Sequence, residues 1–127
     1  MVIGLGNDIT ECARIQKILE KHGPLFLDHF LTAREKEESA GRLSYYAGRW
    51  AAKEAIAKAL GCGIGEHCAL TDMEILNDPQ GKPEVTLSGA AGVTADRLKV
   101  ARIHISISHE KQYAVATALL ESAEPRE

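Results

Sequence analysis

Residues 42–60 read RLSYYAGRWAAKEAIAKAL and are followed by Gly61. Alanine and the straight-chain residues that dominate this stretch lose least on entering a helix, and a glycine directly after Leu60 suits a left-handed C-terminal cap. The pattern predicts the principal helix over 42–60, the element against which the rest is expected to pack. Moving toward the N-terminus, Gly41 marks a break, and Thr32 followed by Glu35 has the form of a capping box opening another helix. Phe26, Leu27, Phe30 and Leu31 form an apolar cluster ahead of it. Thr10, followed by Glu11, is read as the N-cap of a first helix reaching His22, with Ile15, Ile18 and Leu19 at helical spacing and Gly23-Pro24 as its stop. Val2–Leu5 predicts a short buried strand ended by a turn at Gly6-Asn7, which places Asp8 just past the strand.

Toward the C-terminus the period changes. Met73 and Ile75, then Val85 and Leu87, alternate with polar residues around Asn77-Asp78-Pro79-Gln80-Gly81, as a hairpin requires. Ser88 is placed to cap a short helix through Leu98. Ile103, Ile105 and Ile107 alternate with His104, Ser106 and Ser108, and Tyr113–Leu120 reads as the returning strand. The class is α+β: a single small domain over residues 1–120, an antiparallel sheet packed against a long central helix, with 121–127 expected as a disordered tail.

A chain of 127 residues is long enough for one core and too short for two. A net charge of −3 argues against general nucleic-acid binding, and no apolar run approaches a membrane span. The N-terminus lacks the pattern of a secretory signal, so a cytoplasmic location is expected. Cys12, Cys62 and Cys68 are then expected as thiols. Cys62, His67 and Cys68 lack the fourth ligand and the CxxC spacing of structural zinc.

Several residues interrupt the apolar pattern. At ~100° per residue, Arg42, Arg49 and Lys53 share a narrow arc with Ile56 and Leu60. Such cations either snorkel to water or line an anion site against an apolar wall. Glu54 lies beside small alanines with Lys58 one turn on, which is either a surface ion pair or a carboxylate with room around it. Asp8 alone is a turn residue or a ligand. Arg14, Lys17 and Lys21 give the first helix a basic face, suited to solvent or to an acidic protein partner. Gly61, Gly63 and Gly65 follow a helix C-terminus, where the dipole is wrong for phosphate, so they resemble a backbone platform and not a P-loop. Ser108 and His109 are adjacent on a strand and point to opposite faces, which argues against a nucleophile and base pair.

Taken in order, Gly6-Asn7-Asp8-Ile9 with Arg14, Arg49-Trp50-Ala51-Ala52-Lys53-Glu54-Ala55, Gly81-Lys82-Pro83 and Ile107-Ser108-His109 resemble the holo-acyl-carrier-protein synthase family over nearly the whole chain. The resemblance implies transfer of the 4'-phosphopantetheine arm of coenzyme A to a serine of apo-acyl carrier protein, with release of 3',5'-ADP, in support of fatty acid biosynthesis. It implies Mg²⁺ held by Asp8 and Glu54, with Lys58 handling protons as the third catalytic residue. Arg49, Lys82, Pro83 and His109 correspond to positions lining the coenzyme A pocket; the cationic stripe, the glycine segment and the last motif add Lys53, Gly63, Gly65 and Ser108. Arg14 corresponds to a carrier-protein contact, extended along the helix to Lys17 and Lys21. The family also implies a homotrimer with active sites between subunits. Asn7 and Trp50 depart mildly from the family pattern and remove no ligand or charge. The competing expectations are a coenzyme A or nucleotide-binding module without catalysis, and an oligomeric scaffold.

Overall fold

A computed structural model describes residues 1–123. The 18-residue helix α4 (Leu43–Leu60) forms its centre. Buried residues occupy nearly every side of α4, because strands pack along one face and shorter helices along the others. Gly61, at φ 78°, closes α4 in the left-handed conformation that glycine adopts without strain. Arg42 is the N-cap and not part of the helix body.

Three strands form an antiparallel sheet in the order β1 (Val2–Glu11), β5 (Tyr113–Ser122), β4 (Val100–His109). Ala114, Ala116, Ala118 and Leu120 of β5 alternate inward onto α4, while Tyr113 and Val115 face outward. The hairpin of β2 (Met73–Asn77) and β3 (Pro83–Leu87) is separate, and its turn is organised by Asp78, whose carboxylate accepts from the backbone N–H groups of Gln80 and Lys82. The remaining helices are α1 (Cys12–His22), α2 (Pro24–Phe30), α3 (Ala33–Ser39) and α5 (Gly89–Arg97). Thr32 and Glu35 form the expected capping box at α3.

Three expectations are corrected. β1 does not end at Leu5 but runs to Glu11, so Asp8 lies within a strand. Gly6 is not a turn residue but, like Gly4, faces α4: a Cβ at Gly4 or Gly6 would lie 2.3 Å or 2.2 Å from the carbonyl oxygen of Ala59 or Ala55, so glycine lets β1 press against α4. Thr10 accordingly belongs to β1, and Glu11 is the N-cap of α1. Ser88 is the N-cap of α5, as expected, although the hydrogen bond at that end comes from elsewhere: the Asp72 carboxylate accepts from Ala91 N–H. Finally, Glu121 and Ser122 continue β5 rather than starting a tail; the rest of that expectation, at 124–127, lies outside the described residues.

Candidate active site

The two glycines of β1 set its distance from α4, and the next inward positions, Asp8 and Thr10, therefore project toward the C-terminal half of that helix. Lys58 of α4 donates to Asp8 Oδ1 at 3.0 Å and to the Asn7 carbonyl at 3.1 Å. The buried Thr10 hydroxyl donates to Asp8 Oδ2 at 2.8 Å. Glu54, one turn before Lys58, is half-buried; the lysine expected to pair with it is bound to Asp8 instead. Burial raises the Glu54 carboxyl above its ordinary value and the charge of Asp8 adds to the effect, against the opposing pull of Lys58 and Arg14. Asp8, Glu54, Lys58 and Arg14, drawn from β1, α4 and α1, thus lie within electrostatic reach of one another.

Two carboxylates, one of them bonded to no donor among the described residues, form a hard oxygen donor set. Mg²⁺ is commonly held by one or two carboxylates, completing its shell with water and substrate phosphate. The residues present fit that ion. Among the described residues no three or more His, Cys, Asp or Glu side chains gather around one point, so the donor set is of this sparse kind.

A second group forms around Arg49, which is 5% exposed. Its Nε donates to the Ile75 carbonyl at 2.9 Å, its Nη2 donates to Asn77 Oδ1 at 3.0 Å, and the guanidinium lies over the Tyr45 ring at 4.2 Å. Glu38 Oε1 lies 3.5 Å from the guanidinium and accepts from Asn77 N–H. Arg49, Arg42, Tyr45, Asn77 and His109 line one cleft. Sequence reasoning anticipated Arg49 and His109 here but not Tyr45 or Asn77. The four-residue step from Tyr45 to Arg49 is the available signal for the first; Asn77 has the composition of a turn residue, and turn chemistry hides such a role. Asp8 and His109 flank β5 on opposite sides, two strand spacings of roughly 4.8 Å apart, with α4 packed over the sheet between them.

Lys53 does not join this cleft. It is fully buried, donating to Glu35 Oε1 at 2.7 Å and to the Phe30 carbonyl at 2.5 Å. Burial lowers its pKa, with the Glu35 carboxylate opposing. The cationic stripe thus splits: Arg42 and Arg49 reach the cleft, while Lys53 joins α4 to α2 and α3. Ser108 pairs with exposed Val115 and lies on the outer sheet face, whereas His109 pairs with buried Ala114. Lys82 is exposed on the hairpin turn and Pro83 pairs with Asn77 at the cleft margin. Gly63 and Gly65 lie in the exposed loop after α4, where nothing approaches within 4 Å of a Cβ at either position. Arg14, Lys17 and Lys21 are all exposed on α1. Cys12, Cys62 and Cys68 are free thiols, and no helix among the described residues is long and apolar enough to cross a membrane.

Comparison with known proteins gives the arrangement its relatives. A holo-[acyl-carrier-protein] synthase of Vibrio cholerae serotype O1 is 44% identical over 124 residues, 95% of this chain and 98% of the relative. One from a Geobacillus species is 41% identical over 126 residues, with the same shares covered. Among solved structures, the holo-[acyl-carrier-protein] synthase of Neisseria meningitidis aligns with a TM-score of 0.89 at 34% identity, covering 96% of this chain and 100% of that one. The Helicobacter pylori enzyme, solved in complex with coenzyme A, aligns at 0.86 and 33% identity over 92% and 99%. The family model described as the 4'-phosphopantetheinyl transferase superfamily matches residues 4–118, a span that contains both side-chain groups, and this chain belongs to that superfamily.

Proposed function

We infer that this chain is a holo-[acyl-carrier-protein] synthase: it transfers the 4'-phosphopantetheine arm of coenzyme A to a serine of apo-acyl carrier protein and releases 3',5'-ADP. The near full-length identity to enzymes of that name supports the activity. The convergence of Asp8 and Glu54 from a strand and a helix far apart in sequence supports the chemistry. Phosphoryl-type transfer needs positioning and charge neutralisation more than a protein nucleophile, and this chain's groups supply those.

Asp8 and Glu54 would hold Mg²⁺, which supplies charge neutralisation on the pyrophosphate of coenzyme A. Glu54, the carboxylate at the cluster with no bonded donor among the described residues, is a protein group placed to accept the proton of the attacking serine. Lys58 supplies a cation beside the departing phosphate and can return a proton to it. Arg49 and His109, with Lys82 and Pro83 at the margin, bind the anionic nucleotide end of coenzyme A, and the Gly63–Gly65 loop offers backbone to the pantetheine arm. Arg14, Lys17 and Lys21 face an acidic carrier, and Arg14 lies near enough to Glu54 to influence its charge.

The separation of the two groups favours a site completed by a neighbouring subunit. The outer face of the three-stranded sheet presents Leu5 (67% exposed), Ile9 (65%) and Val115 (42%), an apolar surface suited to burial in a homotrimer. Free thiols and the substrate class fit the cytoplasm. Incubation with apo-carrier protein, coenzyme A and Mg²⁺ should raise the carrier mass by one phosphopantetheine, and Asp8→Ala and Glu54→Ala should each abolish the gain while remaining folded. A mass gain at the unaltered rate in either variant would refute the assignment of the two carboxylates; binding of coenzyme A with no mass gain in the unaltered chain would favour the non-catalytic module.

A further inference from the structure

Thr10 stands where a helix cap would be expected, yet in the folded chain it caps nothing. The N-cap of α1 is Glu11, and Thr10 is 2% exposed on the α4-facing side of β1. A buried hydroxyl needs a partner, and leaving one unmet costs about 1–3 kcal/mol. Its partner is Asp8 Oδ2, at 2.8 Å. Residues i and i+2 on a strand share a face at a separation of roughly 6.6 Å, so two short polar side chains there can meet directly. That contact exists only because β1 continues past Asp8.

The two groups bonded to Asp8 differ in what they can hold still. Lys58 is 52% exposed in its side chain, and its long stem leaves the ammonium several positions to choose from. Thr10 is short and buried, and Asp8 Oδ2, 2.8 Å away, is the acceptor of its hydroxyl, so that hydroxyl has little freedom to turn elsewhere. We propose that Thr10 is a positioning residue: its hydroxyl occupies Asp8 Oδ2 and fixes the carboxylate plane, leaving Oδ1 as the atom offered to the divalent cation. This rests on the reading that Asp8 and Glu54 share that cation. Lys58 donates to the same Oδ1, whose second lone pair would remain for the ion.

The test compares Thr10→Val, which keeps the shape and removes the hydroxyl, with Thr10→Ser, which keeps the hydroxyl and removes the methyl. Mn²⁺ binding to the full chain is measured by the loss of its free-ion paramagnetic resonance signal, without coenzyme A and with 3',5'-ADP, and Asp8→Ala serves as the reference. Groups behind a metal ligand typically govern about 10–100-fold in metal affinity. Thr10→Val should therefore weaken Mn²⁺ binding by roughly that factor, while Thr10→Ser stays close to the unaltered chain. In turnover, Thr10→Val should raise the metal concentration giving half-maximal rate and leave the KM for coenzyme A unchanged. Should Thr10→Val fold poorly, Thr10→Ala provides the same comparison against Thr10→Ser. The proposal is overturned if Thr10→Val matches the unaltered chain in both metal binding and metal dependence of the rate, or if Thr10→Ser is as impaired as Thr10→Val, which would assign the effect to packing. If Asp8→Ala itself binds Mn²⁺ as the unaltered chain does, the shared-cation reading fails, and the role of Thr10 fails with it.

Discussion

Lys53→Met separates a structural role for Lys53 from a ligand-binding one. Lys53 and Glu35 are both wholly removed from solvent, and the ammonium lies 2.7 Å from Oε1. Methionine keeps a straight stem of similar bulk and deletes the charge. Glu35 would retain the backbone N–H groups of Thr32 and Ile75, each at 2.9 Å, but would lose its ion-pair partner. Removing one member of a buried pair costs about 3–5 kcal/mol, against a total stability of about 5–15 kcal/mol. The melting temperature should fall by on the order of 10–20 °C.

The cost falls on stability and not on ligand binding, because the pair is internal to the core and Glu35 keeps only its two backbone donors. Urea unfolding followed by Trp50 fluorescence at fixed protein concentration measures this. Wherever the variant remains folded, its KM for coenzyme A should match that of the unaltered chain, because the side chain does not reach the Arg49 cleft. A loss below about 1 kcal/mol, too small for a buried pair, or an unchanged stability with a raised KM, would refute the reasoning and return Lys53 to the anion site.

Gly6→Ala places a methyl 2.2 Å from the Ala55 carbonyl oxygen and 2.7 Å from Ala59 N, both backbone atoms that cannot swing aside. It should force β1 away from α4, lowering stability by about 1–3 kcal/mol, as overpacking does, and weakening metal-dependent turnover along with it; thermal melting and a metal titration of the rate check both. Burial pushes the Tyr45 hydroxyl up to about 12, so native Tyr45 keeps its proton while the unfolded residue ionises near 10, and stability should fall as pH rises across that interval. Phenolate absorbance in a base titration should show a late phase that Tyr45→Phe removes. Leu5→Asp puts a charge on the exposed outer sheet face; if that face joins copies of this chain, light scattering should report monomers, with catalytic activity lost alongside.

Much of this fold is written in local patterns. The capping box of Thr32 and Glu35, the turn at Asp78–Gly81, and the alanine-rich run closed by Gly61 each draw on interactions within a few residues, which a linear reading can weigh. The two recurrent motifs around Asp8 and Glu54 likewise stood out as residues, since neither belongs to the apolar pattern. Where local chemistry is ambiguous, the linear pattern misleads. Gly6-Asn7 has the composition of a turn, but the glycine is required by a helix carbonyl some fifty positions later in the chain. Thr10 before an apolar helix has the composition of a cap, but strand pairing to Ala114 claims it for β1.

The same division runs through the site. Sequence alone determined which side chains carry charge and which helix face they share, because helical geometry is the same in every context. It could not determine where each charge is spent, since that depends on partners brought in from elsewhere. Lys53 and Arg49 occupy nearly the same arc of α4, yet one meets Glu35 in the core and the other meets Asn77 at a cleft. Lys58 is spaced to pair with Glu54 and instead bonds Asp8, leaving Glu54 with no bonded donor among the described residues. Electrostatic energies fall with distance and with exposure to water, and only the folded chain sets both.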